Sequence, residues 1–250
     1  MRKPIFDAIR TVRGKPFSDA DVTTIDSMCD TLGIARDDAD DDDEENGAAA
    51  ALATAGLDNP TAFYDRLKAS GLFPKMKPDQ VAGLSAVLKT AGDAGWPISF
   101  TAYALATAYH ETAGTMQPVR EAFWLSEGWR QRNLRYYPYY GRGYVQLTWK
   151  ANYERADKEL GLGGKLLKTL DLAMDPDVAS RVMAKGMVEG WFCGDKSGAR
   201  HTLKRHVSST GESSEAQYRE ARRIINGTDK AAKIAGEAMI FQSALKAGGW

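Results

Sequence analysis

The chain has 250 residues, 43% hydrophobic and 26% charged, a size and balance that suit one globular domain with or without a small appendage. Its 33 basic and 33 acidic side chains cancel unevenly: residues 1–60 hold 6 basic and 14 acidic groups, net −8, which leaves net +8 on the remainder. No apolar run approaches the ~18 residues of a membrane span, and Asp7, Arg10 and Arg13 interrupt any apolar N-terminal segment, so no secretory signal is expected.

In chain order, Ile5, Ile9 and Val12 recur at helical spacing. Ser18-Asp19-Ala20-Asp21 suits the cap of a second helix carrying Val22, Ile25, Met28, Cys29 and Leu32, which Gly33 would end. Residues 1–36 are expected to form a small helical segment, either docked on the main body or acting as a binding module. Residues 37–56 read as a linker: eight of the nine residues 37–45 are acidic and repel one another, and an Ala-rich run follows. The alternating acids, central Gly and terminal Glu of a calcium-binding loop are missing there.

The main domain is expected over residues 57–250. Asn59-Pro60 begins a helix with Phe63 and Leu67, reaching toward Leu72-Phe73, and Pro78-Asp79 begins another with Val81, Leu84, Val87 and Leu88. Gly95-Trp96-Pro97 reads as a turn and Ser99 as the cap of a third helix, apolar nearly all round and therefore central, that ends at His110-Glu111. Gly141 to Thr148 alternates Arg142, Tyr144, Gln146 and Thr148 with Gly143, Val145 and Leu147, the period of a strand with one polar face. Helices are expected at 150–161, 176–191, 215–226 and 229–246. The fold class is mainly α with one small sheet or hairpin, without internal repeats or βαβ alternation.

Cys29 and Cys193 lack metal-like spacing and read as reduced thiols, and the i, i+5 pair His201/His206 suits a helical metal pair poorly. No metal and no cofactor is expected. The basic main body would be drawn to an anionic surface, and nucleic acid is disfavoured because no recognised binding motif accompanies the charge.

The chemistry concentrates between Ala108 and Tyr153. Inverting cleavage of a glycosidic bond needs a protonated carboxyl on the leaving oxygen and an ionised one on a water across the ring, about 6.5–9.5 Å apart. Glu111, leaving a packed helix beside aromatics, suits the acid, since burial favours a neutral carboxyl. Glu121, beside Arg120, suits the base, with Glu127 a rival in the same excursion. Thr148 and Gln146, on one strand face, suit holding the attacking water and a sugar N-acetyl group. Tyr136, Tyr137, Tyr139, Tyr140, Tyr144 and Trp149 suit stacking on sugar rings. The plainer readings are a Glu111–Arg142 pair, a Glu121–Arg120 pair and tyrosines that only pack.

The ordered set His110-Glu111-Thr112, Glu121, Tyr140-Gly141-Arg142-Gly143-Tyr144-Val145-Gln146-Leu147-Thr148, Asn152-Tyr153 and Arg222-Arg223-Ile224-Ile225-Asn226-Gly227 resembles glycoside hydrolase family 19. The likeness covers about residues 57–246. Met116-Gln117-Pro118-Val119-Arg120-Glu121, Gly190-Trp191-Phe192 and Ile234-Ala235-Gly236 look like the phage endolysin branch. The resemblance implies a lysozyme-like, two-lobed helical fold with a small β region across a cleft, working by inversion without a cofactor. It implies Glu111 as general acid, Glu121 as general base and Thr148 as a holder of the water. Gln146, Asn152 and Asn226 would bind substrate, with Tyr140 as a sugar contact and His110 lining the cleft.

The chain departs from the plant pattern in lacking disulfide-forming cysteines, in carrying Trp149-Lys150-Ala151 where plant members are more polar, and in its shorter loops. The implied function is a phage or prophage endolysin that hydrolyses the β-1,4 glycan backbone of bacterial peptidoglycan. Such a protein would be a monomer held in the host cytoplasm until release to the periplasm and cell wall. Its partners would be the glycan strands, with the basic body meeting the wall or outer membrane, and residues 1–36 could bind the wall. A chitinase is the runner-up. A lytic transglycosylase would need one carboxyl only, and a non-catalytic wall-binding or virion protein would need neither.

Overall fold

The computed structural model describes residues 56–250. The expected helical segment 1–36 and nearly all of the 37–56 linker lie outside the described residues.

Capping chemistry sets the first helices. In α1 (Pro60–Ala69) proline occupies the first turn and the Asn59 Oδ1 accepts from the Ala62 N–H at 3.1 Å. The helix stops at Ala69, before Leu72-Phe73, and buries Phe63, Tyr64 and Leu67. In α2 (Pro78–Asp93) the Gln80 Oε1 accepts from the Lys77 N–H at 2.9 Å, closing the start of the helix. Its buried face includes Gly83, where a Cβ would lie 1.7 Å from the Met116 carbonyl oxygen. Only glycine lets that backbone approach so closely.

The third helix, α3 (Ile98–Glu111), buries every residue from Ser99 to Ala108. Ser99 lies inside the helix and does not cap it: Pro97 holds the cap position, and the Ser99 hydroxyl donates to the Ser208 carbonyl across the core. The last helix, α11 (Ala231–Ala247), packs along α3 and begins at Ala231 because Lys230 adopts a left-handed φ of 53°. Between them in sequence lie α4 (Glu127–Asn133), α5 (Lys150–Glu159), α6 (Lys165–Lys168), a 3-10 helix (Leu170–Met174) and α7 (Pro176–Glu189). The Asp175 Oδ1 caps α7 by accepting from Val178 N–H at 3.0 Å, and left-handed Gly190 ends it. Then come α8 (Leu203–His206), α9 (Glu215–Ala221) and α10 (Arg223–Asn226). The expected single helix 215–226 is thus two helices that meet at Arg222, whose guanidinium is directed to Glu111 and the Asp229 carbonyl.

Among the described residues the fold class is as expected, mainly helical with one small sheet. That sheet is the antiparallel pair β1 (Val119–Arg120) and β2 (Arg142–Gly143), with Val119 opposite Gly143 and Arg120 opposite Arg142. The eight-residue alternating strand 141–148 does not form. Positive φ at Gly143 (85°) and Gln146 (53°) folds the chain back so that Arg142 pairs with Leu147. The supposed polar face turns inward: Arg142 is 4% exposed and Tyr144 fully buried. No helix among the described residues is long and apolar enough to cross a membrane.

Candidate active site

Glu111 closes α3. Its Oε1 accepts from the Arg222 guanidinium at 2.7 Å, and Arg222 is 2% exposed against 19% for the glutamate side chain. The apolar surroundings expected for Glu111 are therefore corrected: an ion pair reaches it through the core, and the partner is Arg222, not Arg142. The second Arg222 anchor is Nε to the Asp229 carbonyl at 3.0 Å, so the cation is fixed before it meets the carboxylate.

His110 turns toward α11. Its Nδ1 lies 3.8 Å from the Glu237 Oε2, and burial lowers the affinity of the ring for a proton. Glu237 is itself 6% exposed with its Oε2 otherwise unpartnered, and burial raises its pKa, offset in part by Lys233. Asn226 ends α10 with an exposed side chain.

Glu121 follows β1 directly. The Tyr136 hydroxyl donates to its Oε1 at 2.5 Å and the Gly141 N–H to its Oε2 at 3.0 Å, while the Glu121 N–H donates to the Gly141 carbonyl at 2.7 Å. Each carboxylate oxygen keeps a lone pair for a further donor. Burial and the Glu121 charge push the Tyr136 phenol up to about 12, so it remains a donor. The plainer alternative of a Glu121–Arg120 pair does not form: the Arg120 Nη2 donates to the Asp171 Oδ2 at 2.6 Å. Arg142 Nε donates to the other Asp171 oxygen at 2.9 Å, so one carboxylate bridges the arginines of both strands. Hydrogen bonding from Arg120 leads the causes that hold Asp171 below its ordinary pKa.

The excursion between the strands lacks sequence periodicity because a buried cation, not an apolar face, organises it. Arg130 of α4 donates through Nη1 to the carbonyls of Ala122 and Leu125, both at 2.9 Å, and through Nε to the Glu127 Oε2 at 2.9 Å. The Tyr140 hydroxyl donates to that same Glu127 oxygen at 3.0 Å. Burial opposes ionisation of Glu127, but these hydrogen bonds and the nearby guanidinium charges outweigh it and lower its pKa. Glu127, the rival base, is thus engaged as an anchor of the excursion.

Tyr140 requires a correction as a sugar contact. It is 1% exposed, with the Arg142 guanidinium 3.7 Å above its ring, and belongs to the scaffold. Tyr144 is likewise core. Gln146 does not share a strand face with Thr148: its amide donates to the carbonyls of Val119 (3.0 Å) and Gly143 (3.3 Å) and braces the hairpin. Thr148 Oγ1 donates to the Gln146 carbonyl at 2.7 Å, and Asn152 Nδ2 to the Thr148 carbonyl at 2.8 Å. The structure therefore links Gln146, Thr148 and Asn152 in one chain of hydrogen bonds, seats Glu121 on Gly141 of the same hairpin, and places His110 and Glu111 at the end of α3.

Two anchors escaped the sequence reading of roles. Arg222 stands inside the Arg222–Gly227 motif, in which the resemblance assigns a role to Asn226 alone. Tyr136, whose ring suits stacking by sequence, is instead the hydroxyl donor to Glu121. Among the described residues, no cluster of three or more His, Cys, Asp or Glu side chains is placed to hold a metal ion. His201 Nδ1 and His206 Nε2 hydrogen-bond each other at 2.8 Å in a cavity of about 530 Å³ that is lined by none of the candidate site residues. The Cys193 thiol donates to the Ile225 carbonyl at 3.2 Å, and Cys29 lies outside the described residues.

No protein-family model matches the chain. A stretch of 44 residues is 50% identical to the acidic endochitinase pcht28 of Solanum chilense; it spans 17% of this chain and 17% of that relative. Chitinase C from Streptomyces griseus HUT6037 shares the fold, with a TM-score of 0.51 and 21% identity over 72% of this chain and 76% of that one.

Proposed function

We propose that this protein is a glycoside hydrolase of family 19 type that cuts the β-1,4 glycan backbone of bacterial peptidoglycan, as a phage or prophage endolysin does. The observation that carries this reading is the pair of separately anchored carboxylates. Glu111 is held by a guanidinium on one oxygen only, and Glu121 is fixed through both oxygens by a hydroxyl and a backbone N–H.

In the proposed reaction Glu111 enters protonated on the oxygen that does not face Arg222, delivers that proton to the departing glycosidic oxygen as the C–O bond breaks, and is left as the carboxylate paired with Arg222. Glu121 takes a proton from a water that attacks the anomeric carbon from the opposite face, which inverts its configuration. Thr148, whose hydroxyl hydrogen is committed to Gln146, offers its oxygen lone pairs to that water. Asn152 and Asn226 bind the sugar N-acetyl and hydroxyl groups, while His110 keeps Glu111 company at the end of α3. The net +8 of residues 61–250 favours approach to an anionic wall.

A chitinase is the second reading, favoured because the relative and the structural neighbour both carry that name. The deciding experiment follows turbidity and new reducing ends with purified sacculi and, in parallel, with soluble chitooligosaccharides. Faster release from sacculi supports the endolysin reading, and faster release from chitooligosaccharides replaces it with the chitinase. Undiminished activity in Glu111→Gln would sink both.

A further inference from the structure

Four large hydrophobic side chains stand exposed among the described residues: Phe123 (60%), Trp124 (72%), Trp149 (45%) and Val188. Three of them surround Glu121. Phe123 and Trp124 follow it by two and three residues, and Trp149 packs edge-on at 4.9 Å against Tyr136, the hydroxyl donor to Glu121. We propose that Phe123, Trp124 and Trp149 form an aromatic rim on which the sugar rings of a polysaccharide stack as it crosses Glu121. This inference rests on the glycan reading above and extends it to the residues that grip the strand.

The exposure is built. Ala122 takes a left-handed φ of 49°, which turns the chain outward immediately after the carboxylate. Phe123 and Trp124 then occupy the two central positions of a turn closed by the Leu125 N–H on the Ala122 carbonyl at 2.9 Å. Both flanking carbonyls are gripped from beneath by the buried Arg130. A turn so fastened cannot fold its rings back into the core, and the two rings meet edge to face at 5.1 Å.

Trp149 also sits on a strained backbone, at φ 74°, where a bulky side chain is rarely found. Its N–H donates to the Tyr139 carbonyl at 2.9 Å, and the Arg135 guanidinium lies 5.2 Å from its ring. An exposed indole on a strained backbone, in contact with a cation and a tyrosine, is held in place for a partner.

The chemistry around the rim selects the occupant. A sugar ring offers an apolar C–H face to an aromatic and hydroxyls at its edge to Glu121, Thr148 and Arg135. A lipid surface would instead have to cover the Glu121 and Glu127 carboxylates with hydrocarbon, which is unfavourable for charged groups.

The test uses full-length Glu111→Gln protein, so that sacculi are bound and not consumed, and measures a depletion isotherm. Adding Trp124→Ala should weaken binding about tenfold, equivalent to ~1.4 kcal/mol. Phe123→Ala with Trp124→Ala should weaken it further, with Val188→Ala as a neutral control. Circular dichroism and melting should not move, because the replaced rings are mostly in water. Unchanged affinity in the double variant overturns the rim. So does loss of binding to phosphatidylglycerol vesicles with sacculus binding intact, which would make the aromatics a lipid anchor. If the wild type released no reducing ends yet the Trp124 effect on sacculi persisted, the hydrolase reading would fall and the rim would stand.

Discussion

Glu111 and Glu121 are positioned by opposite means. Glu111 hangs from the end of a fourteen-residue helix, ten of whose residues are buried in succession, so the hydrophobic core aims it and one guanidinium finishes the placement. Glu121 leaves a two-residue strand and enters a segment with almost no apolar face. There a tier of polar groups does the aiming: Tyr136 and Gly141 on the carboxylate, Arg130 on the carbonyls of the following turn, and Asp171 across Arg120 and Arg142. A rigid rod needs only a packed face. An irregular backbone needs each buried carbonyl and N–H satisfied one at a time.

The largest expected effect breaks the helical half. Arg222→Leu removes a 2%-exposed cation and leaves the Glu111 carboxylate without its counter-charge, which should lower stability by about 3 kcal/mol. Urea denaturation checks this, and wild-type stability would mean that the helix alone positions Glu111. On the other half, Arg130→Met strands the Ala122 and Leu125 carbonyls and should cost about 2 kcal/mol. That loss should be local: amide exchange accelerates over residues 122–130 while α3 stays protected. Uniform acceleration would erase the distinction between the halves.

That same contrast explains what could be read from the chain. Asn59-Pro60, Pro78 and the apolar run 98–109 announce helices because caps and burial period are local in sequence, and α1, α2 and α3 form over those stretches, with α1 ending short of Leu72-Phe73 and α3 capped by Pro97 instead of Ser99. Glu111 was placed at the end of a buried helix for that reason. The hairpin hides in the sequence because the alternation in Arg142–Thr148 mimics a strand. Positive φ at Gln146 and the burial of Arg142 depend on partners more than twenty residues away, Val119 and Asp171. Arg222 meets Glu111 across 111 residues, which no spacing rule reaches.

Tyr136→Phe is a finer cut. It keeps the ring against Trp149 and deletes only the hydroxyl that meets Glu121, a change of about 1 kcal/mol. If that hydrogen bond orients the base, glycan turnover should drop about fivefold alongside a fall of only a few degrees in the melting temperature. A stability loss without a turnover loss would reduce Tyr136 to scaffold.

The smallest effect separates the halves by pH. Asp171, beneath the hairpin, has a native pKa below its ordinary 3.8, set first by its hydrogen bond from Arg120. Its contribution to stability is therefore present above about 3.8 and lost as pH falls through the native value. Glu237, against α3, is shifted the other way from 4.5 by burial. Its contribution is full below about 4.5 and fades as pH rises through the raised native pKa. Denaturation midpoints across pH should then show Asp171→Asn less stable than wild type near neutrality, with the two curves converging in acid. Glu237→Gln should do the reverse: near neutrality it escapes the penalty of an ionised, buried carboxylate, and toward about pH 4 the neutral wild-type acid removes that advantage. Parallel curves for Glu237→Gln would mean that His110 or Lys233 neutralises the carboxylate at every pH. Polar anchoring in the helical half would then extend beyond the Arg222–Glu111 pair.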